Sequence, residues 1–331
     1  MTLKLAHWQR KISLLNCQEI HQLNCIQKRK TMNILIAIDV AQSNNKDTSV
    51  AACELLDVKS LGLMLPLKGS DITLLYVREE LPSFEAVLKA QADFPEDLNH
   101  VVERRATAVL DTIKESLTAC GANVKVEIAG GFAAQVIEDA AKISKCEFVV
   151  ITQSKHHDSI FLSRVSHHVA RHSPVSTIIL RKQEQAPDTV VVGLDGSTNC
   201  LQNILKVLAG LALDKTKTAL HLTYVVNVSK LIASVTPFAF VSAMQENMMM
   251  EGEIYLADAQ KQLSELGYKN INLHLKAGRP DSEIISLQEE EDASIIVISA
   301  QGGGAIKHFL MGHICERVIS QAEVTTIVAR A

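Results

Sequence analysis

The chain has 331 residues and a net charge of −4, enough length for two domains and none of the basic excess of a nucleic-acid binder. Apolar residues make up 47 % and aromatic residues only 4 %, which fits an aliphatic α/β core. No apolar run reaches the roughly 20 residues of a membrane span, and seven cysteines without a C-x-x-C pair point to core thiols in a reducing cytosol rather than a disulfide framework.

Residues 1–31 form a basic extension. Lys4, Arg10, Lys11, Lys28, Arg29 and Lys30 face one acid, Glu19, for a net +5 that leaves −9 on the remainder. Its composition resembles a transit peptide, although a secretory h-region and a small-residue cleavage site are missing. A disordered or non-native leader is the expectation, because Met32 stands directly before the first strand-like run.

From Met32 onward, short β-branched apolar runs alternate with longer helix-period stretches, the pattern of βαβ units around a parallel sheet. Strands are predicted near 33–39, 71–77, 123–128, 147–152 and 175–181, then near 189–195, 218–226, 271–276, 294–299 and 324–329. The runs are continuously apolar, as expected for strands covered on both faces. Helices are predicted over 138–145, 282–291 and 252–266, the last with Ile254, Ala257, Leu263 and Leu266 inward and Gly267 as its stop. Residues 232–250 interrupt the pattern with Pro237, Phe238, Phe240 and Met248-Met249-Met250, read as lining a core or a domain contact.

The same blocks occur twice in the same order. Ile34-Leu35-Ile36-Ala37-Ile38-Asp39 returns as Val190-Val191-Val192-Gly193-Leu194-Asp195. Phe148–Thr152 returns as Ile295–Ser299. His168–His172 with Val175–Ile179 returns as Arg317–Gln321 with Val324–Val328. The chain is therefore read as one domain written twice, 32–182 and 189–331, joined by the polar linker 183–188.

Ligands of an open parallel sheet bind beyond the strand C-termini, where strand order reverses. That places the loops after the first and fourth strands of each repeat at the candidate site. In repeat two these are Asp195-Gly196-Ser197 and Ser299-Ala300-Gln301-Gly302-Gly303-Gly304, with a helix expected from about Gly312. Glycines let backbone N–H groups approach an anion, and a helix start adds unpaired donors and positive dipole.

These residues resemble the universal stress protein family. The resemblance rests on Asp195-Gly196-Ser197, on the glycine-rich loop, and on the closing helix and strand, Cys315-Glu316-Arg317-Val318 through Val324–Val328. It implies two flavodoxin-like, Rossmann-like domains of the adenine nucleotide α-hydrolase type, each a five-stranded parallel sheet of order 3-2-1-4-5 that pairs through its last strand. Nucleotide-binding members carry Gly, two residues, Gly, nine residues, Gly, then Ser or Thr. In repeat two that motif reads Ser299, Gly302, Gly312 and His313, so the spacing stands while the first and last residue types differ. The resemblance implies an ATP site in repeat two only, formed by Asp195, Gly196, Ser197, Ser299, Gly302, Gly303, Gly304, Gly312, His313 and Ile314.

In repeat one the corresponding loop, Thr152–Ser163, has no glycine and is two residues shorter: matched residues lie 147 apart before it (Thr152, Ser299) and 149 apart after it (Val169, Val318). Val40-Ala41 replaces Gly196-Ser197. No ATP binding is expected there. His156, His157, His167, His168 and His172 gather nearby, and His168 and His172 are spaced to share a helix face, but no cysteine or acid completes a metal set and none is expected.

No catalytic motif is found, so no enzyme activity is expected, and a weak ATPase is the least favoured reading. The expectation is a cytoplasmic stress-response protein whose domains pair within the chain, with an adenine nucleotide and an unidentified protein as partners. Homodimerisation also fits, and neither nucleic acid nor membrane is expected. The alternative is a regulatory or scaffold protein without a nucleotide.

Overall fold

The computed structural model describes residues 31–40, 43, 45, 47–78, 98–152, 160–183, 185–227, 238–300 and 312–330. The basic extension, apart from Thr31, lies outside them. The chain divides into two compact units, Met1–Val169 and Ala170–Ala331.

In the first unit four strands are parallel in the order β3-β2-β1-β4: β1 (Asn33–Ala37), β2 (Asp71–Arg78), β3 (Asn123–Gly130) and β4 (Phe148–Thr152). Helices α1 (Thr48–Leu55) and α2 (Val58–Met64) start on Asp47 and Asp57, whose carboxylates accept backbone N–H groups of their own first turns. Then come α3 (Leu98–Ala119) and α4 (Ala133–Ser144), which ends on Lys145 in the left-handed region. Helix α5 (Ile160–His172) begins in the first unit and ends in the second.

In the second unit β5 (Ser176–Leu180), β6 (Thr189–Leu194), β7 (Ala219–Val226), β8 (Asn270–Ala277), β9 (Ile295–Ser299) and β10 (Thr325–Ala329) are ordered β5-β10-β9-β6-β7-β8. The five strands of repeat two thus follow the expected 3-2-1-4-5 order, all parallel. β5, the last strand of repeat one, is antiparallel to β10, with Ile178 opposite Ile327. This pairing draws β5 into the second unit, so the compact units divide upstream of the linker. Arginines bracket the pair. Arg181 exchanges hydrogen bonds with the Thr325 hydroxyl and donates to Ala322 O at 2.9 Å, and Arg330 donates to Ser176 Oγ and Ala170 O.

Helices α6 (Thr198–Gly210), α7 (Phe238–Glu265), α8 (Pro280–Glu290) and α9 (His313–Gln321) complete the second unit. Alternate side chains of a strand point to opposite faces. On β7, Tyr224 meets Gly252 of α7 and His221 meets Glu291 at the end of α8, so these helices cover opposite faces. β9 and β10 are almost wholly buried, which accounts for their unbroken apolar runs.

Two expectations are corrected here. Helix α7 begins at Phe238 and runs through the supposed interruption, because Met248-Met249-Met250 and their neighbours are good helix formers with no internal Pro or Gly before Gly252. Its inward stripe is Leu256, Ala259 and Leu263, whereas Ile254 is 72 % exposed and Met250 55 % exposed. The apolar positions sit on two faces of one long helix, so composition alone misled the choice of face. Among the described cysteines, Cys120, Cys146, Cys200 and Cys315 are buried thiols, as expected of small core residues, and Cys53 is exposed. Among the described residues no helix is long and apolar enough to cross a membrane.

Candidate functional site

In repeat two the chain adds β7 and β8 on one side of β6 and β9 and β10 on the other, so strand order reverses between β6 and β9. The two run in register from Val190–Ile295 to Gly193–Ile298 and finish level. Asp195 follows one strand and Ala300 the other, which brings the two predicted loops to one crevice.

Gly196 holds φ +85°, and a Cβ there would lie 3.1 Å from the Tyr224 ring. The reversal lets the Asp195 carboxylate fold back and accept from Ser197 N–H at 2.9 Å and Ser197 Oγ–H at 2.8 Å. Ser197 Oγ in turn accepts from Cys200 N–H and caps α6. Tyr255 Oη donates to Ser197 O at 2.8 Å, and its ring stands 6.1 Å from that of Tyr224. Burial, with Cys200 and Asp195 adding, lifts the Tyr255 phenol above its ordinary value; burial, Glu251 and Asp195 do the same for Tyr224. Both phenols therefore stay protonated donors. Burial also pushes the Cys200 thiol up, with Asp195 adding to it, so it does not act as a thiolate.

Across the crevice, Gly312 N–H donates to Ala300 O at 3.4 Å, and Ala300 N–H donates to Ala329 O at 3.0 Å. These bonds tie the two ends of the glycine loop to the sheet. Gly302, Gly303 and Gly304 lie outside the described residues. Gly312 caps α9 at φ −67°, and among the described residues nothing lies within 4 Å of where a Cβ would project. His313, the first helical residue, has a side chain 90 % exposed, and Ile314 is 42 % exposed. A helix start is chemically suited to an anion.

Sequence reasoning missed several neighbours. Tyr224 and Tyr255 lie on β7 and α7, away from the loops that drew notice. Glu316 stands in the first turn of α9, where it opposes an incoming anion. Arg171 pairs with it at 3.1 Å, and His313 Nδ1 lies 3.7 Å from it. Pairing with Arg171 offsets much of the Glu316 charge.

The profile of the universal stress protein family matches residues 30–181 and again residues 187–330. The chain belongs to the universal stress protein family. This tandem member is 25 % identical over 256 residues to a universal stress protein of Synechocystis sp., covering 76 % of this chain and 80 % of the relative. It is 27 % identical over 158 residues to a universal stress protein of Methanocaldococcus jannaschii, covering 46 % of this chain and 87 % of that one. A solved universal stress protein of Archaeoglobus fulgidus shares the fold, with a TM-score of 0.52 at 21 % identity over 90 % of this chain and 96 % of that one.

Within this family member the first repeat differs at the residue after its aspartate. Asp39 follows β1, but Val40 after it is buried at 4 % exposure, where repeat two has the exposed Gly196. His156 and His157 lie outside the described residues. His168 Nε2 lies 3.5 Å from Glu138 Oε1, a buried carboxylate oxygen, and packs edge-on against Phe132.

Proposed function

We propose that this chain is a regulatory stress-response protein of the cytoplasm that binds an adenine nucleotide, ATP foremost, in the β6–β9 crevice of repeat two, without turning it over. The observation that carries this reading is the tie between Gly312 and Ala300, which sets the N-terminus of α9 at the switch point that Asp195-Gly196-Ser197 borders. The residues suit the ligand. Gly312 leaves space for phosphate oxygens, His313 offers an exposed ring N–H, and the Asp195 turn offers a polar wall for the base or ribose. Asp195 is engaged by its own loop, accepting from the Ser197 N–H and Oγ–H, which favours a structural or binding role for it over one in hydrolysis.

Calorimetry of the full chain with ATP, ADP and AMP tests this. Gly312→Val meets no neighbour among the described residues, so its stability is expected within about 1 kcal/mol of the parent, the scale of a lost N-cap preference. Its nucleotide affinity is expected to fall at least about tenfold, the equivalent of roughly 1.4 kcal/mol. An unchanged affinity removes the phosphates from α9. Phosphate release above background that disappears in Asp195→Asn overturns the non-enzymatic reading. A second reading, a scaffold that binds no nucleotide, draws on Glu316. If Glu316→Gln creates binding that the parent lacks, that reading is correct.

A further inference from the structure

A second polar cluster lies in the same unit, on the sheet face covered by α8. His221 of β7 stands opposite Asn272 of the neighbouring strand β8, and Thr223 stands opposite His274. Residues two apart share a face, so both rings point toward α8. They are stacked, with centroids 5.1 Å apart and planes 18° from parallel. His221 Nδ1 lies 3.0 Å from His274 Nε2 and 3.6 Å from Glu291 Oε1. Glu291 reaches them because it caps the C-terminus of α8, its N–H accepted by Leu287 O.

Hydrogen bonds close the histidine pair but not the triad: Asn272 Nδ2–H can donate to His221 Nε2 and His221 Nδ1–H to His274 Nε2, while Glu291 Oε1, 3.6 Å from His221 Nδ1, stays outside hydrogen-bond reach. The Glu291 carboxylate only accepts, and a neutral imidazole has one donor and one acceptor nitrogen. His221 Nδ1–H faces both Glu291 and the His274 Nε2 lone pair, and cannot serve both in full. If it donates to His274, the carboxylate lies against a donor already used. A cation among the three atoms satisfies them together. All three lie within 4.8 Å of one another, and the two measured separations bracket the about 3.3 Å ligand–ligand edge of a tetrahedral zinc site with bonds near 2.0–2.1 Å.

The surroundings support such a site. Lys276, two residues from His274 on the same strand, pairs with Glu283 at 3.7 Å and Glu290 at 3.3 Å, which offsets its charge beside the cluster. His221 Nε2 lies 3.2 Å from the Asn272 amide, whose oxygen accepts the ring proton once the amide is flipped. The His221 side chain is 7 % exposed and that of Glu291 36 %, so the cluster is anchored inside and reached from solvent. Repeat one has Thr73, Glu127 and Ser144 at the matching positions of its strands and helix, so the fold itself does not demand the histidines.

We propose that His221, His274 and Glu291 bind one Zn²⁺ ion, leaving a fourth position for water or an exogenous ligand. Two imidazoles with one carboxylate form a three-ligand zinc set. The proposal stands apart from the nucleotide crevice and does not depend on it.

The test uses the full chain, stripped with a chelator and dialysed, then titrated with Zn²⁺ by calorimetry. The parent is expected to show saturable uptake. Glu291→Gln is expected to weaken that uptake at least about tenfold and His274→Asn at least about a hundredfold, in line with outer-partner losses of 10–100-fold and larger losses for a ligand itself. With Co²⁺ in place of zinc, the intense visible bands of a four-coordinate ion are expected in the parent and lost in Glu291→Gln. Glu291 is partly exposed, so that variant keeps the fold even if His274→Asn does not. No saturable uptake by the parent, or an affinity within twofold of the parent in both variants, overturns the proposal.

Discussion

Repeat one and repeat two end their first strands on the same residue type, Asp39 and Asp195, and part company one residue later. Val40 turns inward and is buried, while Gly196 turns outward at φ +85° and gives Asp195 and Ser197 room to close on each other. Much else is held in common. Tyr76 and Tyr224 occupy matching positions of the second strands, and burial followed by the neighbouring aspartate raises both phenols, with Glu251 also acting on Tyr224. One scaffold thus supports a filled strand end and an open one, and the difference lies in a few side chains rather than in topology.

The largest expected effect comes from adding a side chain where repeat two packs closely beneath its crevice. Gly193 matches Ala37 of repeat one. A Cβ at Gly193 would lie 2.9 Å from Ile284 Cδ1 and 3.0 Å from Ile298 Cγ2. Ala37, by contrast, accommodates its methyl at 8 % exposure. Gly193→Val is expected to cost about 3 kcal/mol, the upper range for overpacking a close-packed core. Ala37→Gly is expected to cost about 1 kcal/mol, mainly through backbone entropy. Thermal or urea unfolding measures both, and equal costs would mean that the two strand ends pack alike.

A second contrast lies at the helix after the third strand. Repeat one has the fully buried Ala134 at the second position of α4; repeat two has Asp281 at the second position of α8, with its side chain 2 % exposed. Arg279 Nη2 donates to Asp281 at 2.6 Å, and Arg317 of α9 lies 3.6 Å away. Burial pushes the Asp281 carboxyl up, but the Arg279 hydrogen bond, a backbone hydrogen bond and the two arginine charges outweigh it and hold the carboxyl below its ordinary value. Its stabilisation is therefore present above the unfolded carboxyl range near pH 3.9 and is lost as pH falls through the lower folded value. Asp281→Ala is expected to cost about 2 kcal/mol at pH 7, below the 3–5 for breaking a fully buried pair because both arginines reach water. The gap from the parent is expected to close under acid, and a gap that persists below pH 3 rules out the ion pair as its source.

The strands were legible almost to the residue. Their apolar runs are bounded by Asp, Gly and polar turns, and the repeat supplies each boundary twice. The long helix α7 was only partly so: Leu263 was read as inward and is buried, but Ile254 and Ala257 follow helical spacing on the wrong face, and Leu256 and Ala259 are picked out only by the face on which Gly252 meets Tyr224 and Leu275. The crevice was legible where its residues are adjacent in sequence, as in Asp195-Gly196-Ser197. Glu316 with Arg171, and His221 with His274 and Glu291, come from separate elements, and no local spacing announces them. The pairing of β5 with β10 was expected from the resemblance and is present, which places Val324–Ala329 between two strands rather than at an edge.

The smallest expected effect bears most directly on the difference between Val40 and Gly196. Gly196 holds a left-handed φ, which costs an L-residue about 1–2 kcal/mol, partly offset because a side chain also restricts the unfolded chain. Gly196→Ala is therefore expected to lose about 1 kcal/mol, with the methyl pressed toward Tyr224 at 3.1 Å. Gly196→Asn is expected to recover part of that loss on the backbone side, because Asn tolerates this region better than Ala. If both variants destabilise equally, contact with Tyr224 rather than backbone strain governs the turn. If Gly196→Ala costs nothing, the turn relaxes to a negative φ as at Val40, and the openness of repeat two originates elsewhere, in the glycine loop after β9.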